Sequence, residues 1–321
     1  MIEVLATGAL ATVQDLGREG ALRWGVGSAG AMDPLALAAG NVLLGNEEGA
    51  AAVEVPVFPF AVRFHADAAF AVTGADTDAR LEGRPVLPWT TVQARAGQTL
   101  ALGLPRRGAT WPASRAYLCL AGGVAVPAVL GSRSTQLRGA FGGHEGRPLR
   151  VGDRLGVGTA NEGWVEGLGL VPPAVAMPRP ALRVLPAAEY TAYTEASRAA
   201  FWQQDWKITA QSDRYGYRLE GQPLQALAPV EMRSHGIVPG VIQVPPGGQP
   251  IVQMRDAQPS GGYPKLGTVI DADLWRLGQA PVGSRVRFVE CDWAGALAAL
   301  AENDHWLAEA RRWVRLQRGA A

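Results

Sequence analysis

The chain has 321 residues, 30 basic and 29 acidic, and 48% of it is hydrophobic. That length suggests two domains or one large barrel, and the apolar share supports a sizeable core and excludes wholesale disorder. A net charge of +1 without a basic block argues against a nucleic-acid partner held through phosphates.

The 40 glycines and 23 prolines cut the chain into short segments, most of which read as strands: 51–57, 68–73, 99–104, 115–121, 154–157, 182–185, 237–243, 251–254 and 285–289. A first helix is predicted between Asp33-Pro34, an N-cap followed by a proline at the first helical position, and Gly45-Asn46. Two more are expected over 189–204 and 294–317, the last with Leu297, Leu300, Leu307 and Val314 along one face. One phrase recurs: Gly97-Gln-Thr-Leu-Ala-Leu, Gly152-Asp-Arg-Leu-Gly-Val and Gly283-Ser-Arg-Val-Arg-Phe. Each is a turn glycine leading into alternating apolar positions, as at the entry to an antiparallel strand. The phrase falls on both sides of a Pro-rich run beginning at Val171. The expectation is a mainly β chain with an N-terminal module over 1–170, a linker over 171–181, and a C-terminal module over 182–321 that carries the terminal helix.

The N-terminal run lacks a basic segment and a long apolar core, and no stretch approaches the roughly 18 apolar residues of a membrane span. A cytoplasmic location without membrane attachment is predicted. Cys119 and Cys291 lie far apart in or beside apolar runs and read as packing residues of a reducing compartment. All but two of the basic residues are arginine, the exceptions being Lys207 and Lys265. A Schiff-base or biotinylated lysine would have to be one of these. Neither sits in the Met-Lys-Met setting usual for biotin, so biotin is not expected on this chain.

Residues 25–30 spell G-x-G-x-x-G, but no buried strand precedes them and the helix start at Asp33-Pro34 comes too late for a dinucleotide site. They read as a tight exposed loop. P-loop and G-x-S-x-G signatures are absent, and the four histidines lack zinc spacing. His144 and His235 lie in glycine-rich loops where acid–base work is conceivable, although a hydrogen-bonded loop histidine is the commoner case. Two patches hold more information. Gly131-Ser-Arg-Ser-Thr135 flanks Arg133 with hydroxyls, which suits a carboxylate or phosphate as well as it suits a structural tie between loops. Residues 240–263 gather Gln243, Gln249, Gln253, Arg255, Asp256, Gln258 and a Gly261-Gly262-Tyr263 turn, a dense set of donors and acceptors fit for a urea-like or lactam-like amide.

Several motifs in order then carry a resemblance: Thr12-Val-Gln-Asp-Leu-Gly-Arg18, Gly30-Ala-Met-Asp-Pro34, Gly40-Asn-Val-Leu-Leu-Gly-Asn46, Gly131-Ser-Arg-Ser-Thr135, Asp213-Arg-Tyr-Gly-Tyr-Arg-Leu-Glu-Gly221, Pro239-Gly-Val-Ile-Gln-Val-Pro-Pro-Gly-Gly-Gln-Pro-Ile251 and Gly261-Gly-Tyr-Pro264. The chain resembles the family called allophanate hydrolase subunit 2, or biotin-dependent carboxyltransferase-like. That family includes the C subunit of bacterial 5-oxoprolinase, the KipI antagonist and part of urea carboxylase.

The resemblance implies two cyclophilin-like β-barrel modules. It also implies a hetero-oligomer with a sister subunit of the allophanate hydrolase subunit 1 or KipI type and a LamB/YcsF-type subunit. The implied reaction is the ATP-dependent opening of 5-oxo-L-proline to L-glutamate, with ATP and its magnesium ion as co-substrate. Within that picture Arg133, Asp256 and Gln258 are the expected catalytic groups: Arg133 on a carboxylate or phosphate, Gln258 on the lactam amide, Asp256 on water or a metal-bound phosphate. Gln243, Gln249, Ser134, Tyr217, Gly261, Gly262 and Tyr263 are expected to bind substrate, and Arg214 and Arg255 to bind the nucleotide. Two positions depart from the family pattern: His235 stands where an acidic residue is usual, and Pro259 where a threonine is usual. Two alternatives remain open, a carboxyltransferase component using carboxybiotin held by another chain, and a regulatory antagonist of a KipI-like sister.

Overall fold

A computed structural model of the chain describes residues 1–106, 113–160, 163–173, 181–228 and 232–319. Part of the expected linker, residues 174–180, lies outside them. The chain divides into two compact units, one made of Met1–Glu19, Ala29–Val175 and Asp304–Ala321, the other of Gly20–Ser28 and Ala176–Asn303. This partition differs from a single cut at the linker in two places, since residues 20–28 group with the second unit and 304–321 with the first.

The first unit is built on two antiparallel sheets. One runs, in spatial order, Val124–Ala125, Arg154–Val157, Ile2–Ala6, Phe60–Phe64, Thr99–Leu102, Arg80–Leu81 and Arg84–Pro85; the other runs Thr12–Gln14, Ala52–Val55, Ala116–Leu120, Ala68–Gly74 and Thr91–Ala94. Alternation drives their packing: in Phe60–Phe64 the side chains of Phe60, Val62 and Phe64 are buried while Arg63 is exposed. These residues join Ile2, Val4, Val53, Phe70, Leu118 and others in one apolar core. The helix Pro34–Leu44 packs Leu37, Leu43 and Leu44 into a second cluster against the other face of the five-stranded sheet. Its predicted caps are both present, with Asp33 Oδ1 accepting from the Ala36 amide at 2.9 Å and Gly45 left-handed at φ 74°.

The second unit holds a closed barrel of Ala181–Pro186, Lys265–Val269, Val241–Gln243, Ile251–Gln253, Gly216–Glu220, Trp206–Ile208 and Arg285–Glu290, closed by parallel pairing of the last with the first. The expected mainly β class with a C-terminal helix therefore holds. Three details differ. The expected 189–204 helix is a 3-10 turn, Ala188–Ala192, followed by the helix Glu195–Gln203, because Thr194 accepts from the Ser197 amide at 3.2 Å and restarts the chain as an N-cap. The expected strand over 237–243 is shortened to Val241–Gln243 behind Pro239 and a left-handed Gly240 at φ 93°. A helix not foreseen, Asp271–Gln279, buries Leu274, Trp275 and Leu277.

The terminal helix spans Trp293–Gly319. Its buried positions are Ala299, Leu307, Ala310 and Val314, whereas Leu297 and Leu300 are exposed. The expected single apolar face is thereby corrected: the buried stripe runs through Ala299, half-buried Asn303 and Leu307, and the leucines before it lie to one side. Cys119 is buried, and burial pushes its thiol up to about 12. Cys291 is half-buried beside the start of the terminal helix.

Candidate functional site

The barrel strands Val241–Gln243 and Ile251–Gln253 pair antiparallel, with Gln243 opposite Ile251. Both glutamines are buried, at 2% and 4% exposure. Gln253 Nε2 donates to Gln243 Oε1 at 3.0 Å, leaving Gln243 Nε2 and Gln253 Oε1 without a hydrogen bond among the described residues. An unpaired buried amide end costs about 1–3 kcal/mol, so this contact is a candidate place for a ligand that offers both an acceptor and a donor. Gly261 lies directly over this pair. A side chain there would put its Cβ closer to Gln243 Nε2 than van der Waals contact allows, so the glycine is needed for close approach rather than for backbone freedom.

Around this pair the fold collects ionisable groups. Lys265 is the cross-strand neighbour of Gln243 on the strand Lys265–Val269. Its Nζ meets His235 Nε2 and lies 3.4 Å from Glu189 Oε2. The same carboxylate oxygen accepts from the Lys265 amide at 3.2 Å. His235 pairs with Gly261 in a short ladder of His235–Gly236 with Ser260–Gly261, and its Nδ1 is 3.0 Å from the Arg233 carbonyl. The residues that continue these strands, Val244 after Gln243 and Pro264 before Lys265, line a cavity of about 670 Å³ together with Tyr193, Leu224, Pro245 and Tyr263. Burial, with Glu189 adding to it, pushes the Tyr193 phenol up to about 12, so it stays a neutral donor.

The other expected site residues of the second unit are placed as follows. Asp256 and Arg214 form a buried fork, with Nε on Oδ2 at 3.0 Å and Nη2 on Oδ1 at 2.9 Å. Gln258 Oε1 accepts from the Tyr215 hydroxyl at 2.5 Å. Gln249 clamps Gly221, its Oε1 accepting from the amide and its Nε2 donating to the carbonyl, each at 3.0 Å. Tyr217 is buried among core side chains with its hydroxyl 3.4 Å from the Gly278 carbonyl. Arg255 meets Asp271 at 3.7 Å, and its carbonyl lies 3.5 Å from the Ser28 hydroxyl. Gly262 packs against the Met232 carbonyl and Ser234, and Tyr263 is 47% exposed on the cavity wall.

Arg133 and Ser134 belong to the first unit. There the buried Asp15 carboxylate gathers the turn: Oδ1 accepts from the Ser132 hydroxyl at 2.6 Å and the Ser134 hydroxyl at 2.5 Å, and Oδ2 from the Arg133 amide at 2.5 Å. Arg18, stacked on the Phe141 ring, donates to the Val129 and Ser134 carbonyls. Arg133 itself is exposed, its Nε donating to the Val126 carbonyl at 3.1 Å. Sequence reasoning missed Asp15 as the organiser of this turn and missed the Lys265–His235–Glu189 cluster. Signals existed for both: Asp15 lies inside the Thr12–Arg18 motif, and Lys265 is one of two lysines.

The family described as carboxyltransferase domain, subdomain A and B, matches residues 24–290. A protein named as the C subunit of 5-oxoprolinase, from Haemophilus influenzae, is 43% identical over 98% of this chain and 99% of its own length. One of the same name from Escherichia coli is 41% identical over 95% and 96%. Urea amidolyase of Lachancea kluyveri is 31% identical over 89% of this chain, which spans 17% of that protein. The crystal structure of Kluyveromyces lactis urea amidolyase superposes with a TM-score of 0.88 at 27% identity, covering 96% of this chain and 20% of that one. The chain belongs to the carboxyltransferase subdomain A and B family.

Proposed function

From that membership we propose that the chain is the C-type subunit of an ATP-dependent 5-oxoprolinase, contributing the amide-recognising part of the site. The observation that carries this reading is the nearly end-to-end correspondence with two proteins named as 5-oxoprolinase C subunits, at 43% and 41% identity. The local chemistry supports it. A lactam is a cis amide that presents its carbonyl and N–H along one edge, and it needs one donor and one acceptor in return. Gln243 Nε2 and Gln253 Oε1 are a buried donor and acceptor of that kind, without a hydrogen bond among the described residues.

The overall reaction is 5-oxo-L-proline, ATP and water giving L-glutamate, ADP and phosphate. Amide resonance and a poor leaving group account for the ATP, since phosphorylating the amide oxygen makes the carbonyl carbon open to water. The Asp256–Arg214 fork fixes a guanidinium beside the glutamine-rich strands, and Arg255 of the same unit supplies positive charge for a carboxylate or phosphate group. Tyr193 and Tyr263 wall the cavity. The enzyme is completed by the sister subunit and by the LamB/YcsF-type protein.

The test is glutamate formation from 5-oxoproline and ATP by this chain with its two partner subunits, omitting each in turn. Turnover that vanishes without this chain supports the reading. A stable complex with no turnover overturns it. The family description and the likeness to urea amidolyase favour one second reading, carboxyl transfer from a carboxybiotin carried by another chain. Decay of carboxybiotin that accelerates only when this chain and an amide acceptor are both present would select it.

A further inference from the structure

We infer that Lys265, backed by His235, is the proton donor to the amide nitrogen when the C–N bond breaks; this rests on the amide-opening reading above. The Arg233 carbonyl can only accept, so the hydrogen of the neutral His235 ring sits on Nδ1. Its Nε2 therefore offers a lone pair, and the Lys265 Nζ in contact with it donates. One exchangeable proton is shared between the two nitrogens, because a second would place two cations in contact. Among the described residues Glu189 is the charged group that touches the pair, and it balances the single positive charge.

Placement gives this pair its use. Lys265 lies across the strand from Gln243, and His235 lies across the short ladder from Gly261, which covers the Gln243 amide. The strand register therefore puts Lys265 beside Gln243, one of the two glutamines proposed to hold the amide. When the C–N bond of the activated lactam breaks, its electron pair goes to nitrogen, Nζ gives a proton to that nitrogen, and Lys265 becomes a neutral amine. Half-buried His235 then passes a proton from solvent to Nζ through Nε2. The other lysine, Lys207, is half-buried and pairs with Glu220 on a neighbouring barrel strand, so it does not compete for the role.

The test uses Lys265→Arg and His235→Gln in the complete three-subunit enzyme. Arginine keeps the charge and does not give up a proton at neutral pH. Glutamine can reproduce both His235 hydrogen bonds, accepting from Lys265 and donating to the Arg233 carbonyl, but carries no proton. General acid catalysis contributes roughly 10²–10⁴-fold, so Lys265→Arg is expected to lower kcat by at least about 100-fold. The KM for 5-oxoproline should stay within about threefold, because the donor acts after binding. His235→Gln should lower kcat by a smaller factor and likewise leave KM within about threefold. Either variant with kcat within about threefold of wild type overturns the inference.

A second measurement does not depend on turnover. In the isolated ¹⁵N-labelled chain, His235 should be the Nδ1–H tautomer, and Lys265→Met should move the His235 Nε2 resonance by removing the donor that contacts it. An unmoved Nε2 resonance overturns the shared-proton pair. A moved resonance in Lys265→Met, together with a wild-type complex that forms no glutamate, overturns the assigned reaction and not the pair.

Discussion

Arg147 holds the Asp153 carboxylate in a fork, Nη1 on Oδ2 at 2.7 Å and Nη2 on Oδ1 at 2.9 Å, and the Arg150 amide adds a third bond at 2.7 Å. The Arg147 hydrogen bonds come first among the causes that lower Asp153 from 3.8 to about 2. Because the folded value lies below the unfolded one, this stabilisation is complete above about pH 4 and is lost as pH falls through about 2. After allowance for solvent around the pair it amounts to roughly 1–2 kcal/mol. Arg147→Ala should therefore lose about that much at pH 7 by urea denaturation and flatten the dependence between pH 4 and 2. At the same scale, Gly261→Ala should displace the Gln243 amide and raise KM for 5-oxoproline while leaving the Asp256–Arg214 fork in place. An unchanged KM would remove Gln243 from the binding role. Spacing in the sequence announced the amide-rich strands because their members are ten to twenty residues apart. It gave no hint of the Asp15 turn, since Asp15 and Ser134 meet across 119 residues, nor of Glu189, which reaches Lys265 across 76.

Elements were legible where their ends carry their own chemistry. Asp33, Pro34 and Gly45 bracket the first helix as their capping preferences require. The helix Asp271–Gln279 has no side-chain cap, with Ile270 at its N-cap position, so its only terminal signals are Asp271 and Asp273 in the first turn and Arg276 in the last. A residue taken for mid-helix, Thr194, proved to be a start. Its hydroxyl accepts from the Ser197 amide and donates to the Ser197 hydroxyl at 2.9 Å. Ser197 Oγ in turn accepts from the Gln225 amide at 2.8 Å, tying the helix to the loop that lines the cavity. Thr194→Ala should cost about 1 kcal/mol, and Thr194→Ser should restore most of it. Equal thermal midpoints for the two variants would show that the cap contributes nothing here.

For the whole molecule, hydrophobic period placed a helix near the C-terminus but not the surface it packs on. Ala299 joins Ile270 and Ala272 in the second unit, while Leu307 and Val314 join the cluster of Pro34–Leu44 in the first. Nothing in a heptad-like pattern distinguishes these destinations, because both offer the same apolar contact. Leu297 and Leu300 fit the period equally well and yet are 52% and 38% exposed. The difference is measurable. Leu307→Ala removes a buried side chain and should cost roughly 2–3 kcal/mol. Leu297→Ala removes an exposed one and should change stability by no more than about 0.5 kcal/mol. Arg311 on the same helix pairs with Glu48, and Arg318 donates to the Leu43 carbonyl at the end of Pro34–Leu44. The loss in Leu307→Ala should therefore appear in the transition of the first unit, read by fluorescence of Trp89, which meets Trp306 edge-on at 6.2 Å. If the two variants lose the same stability, the helix is not seated in this register, because a rotation that buried Leu297 would make the two leucines equivalent.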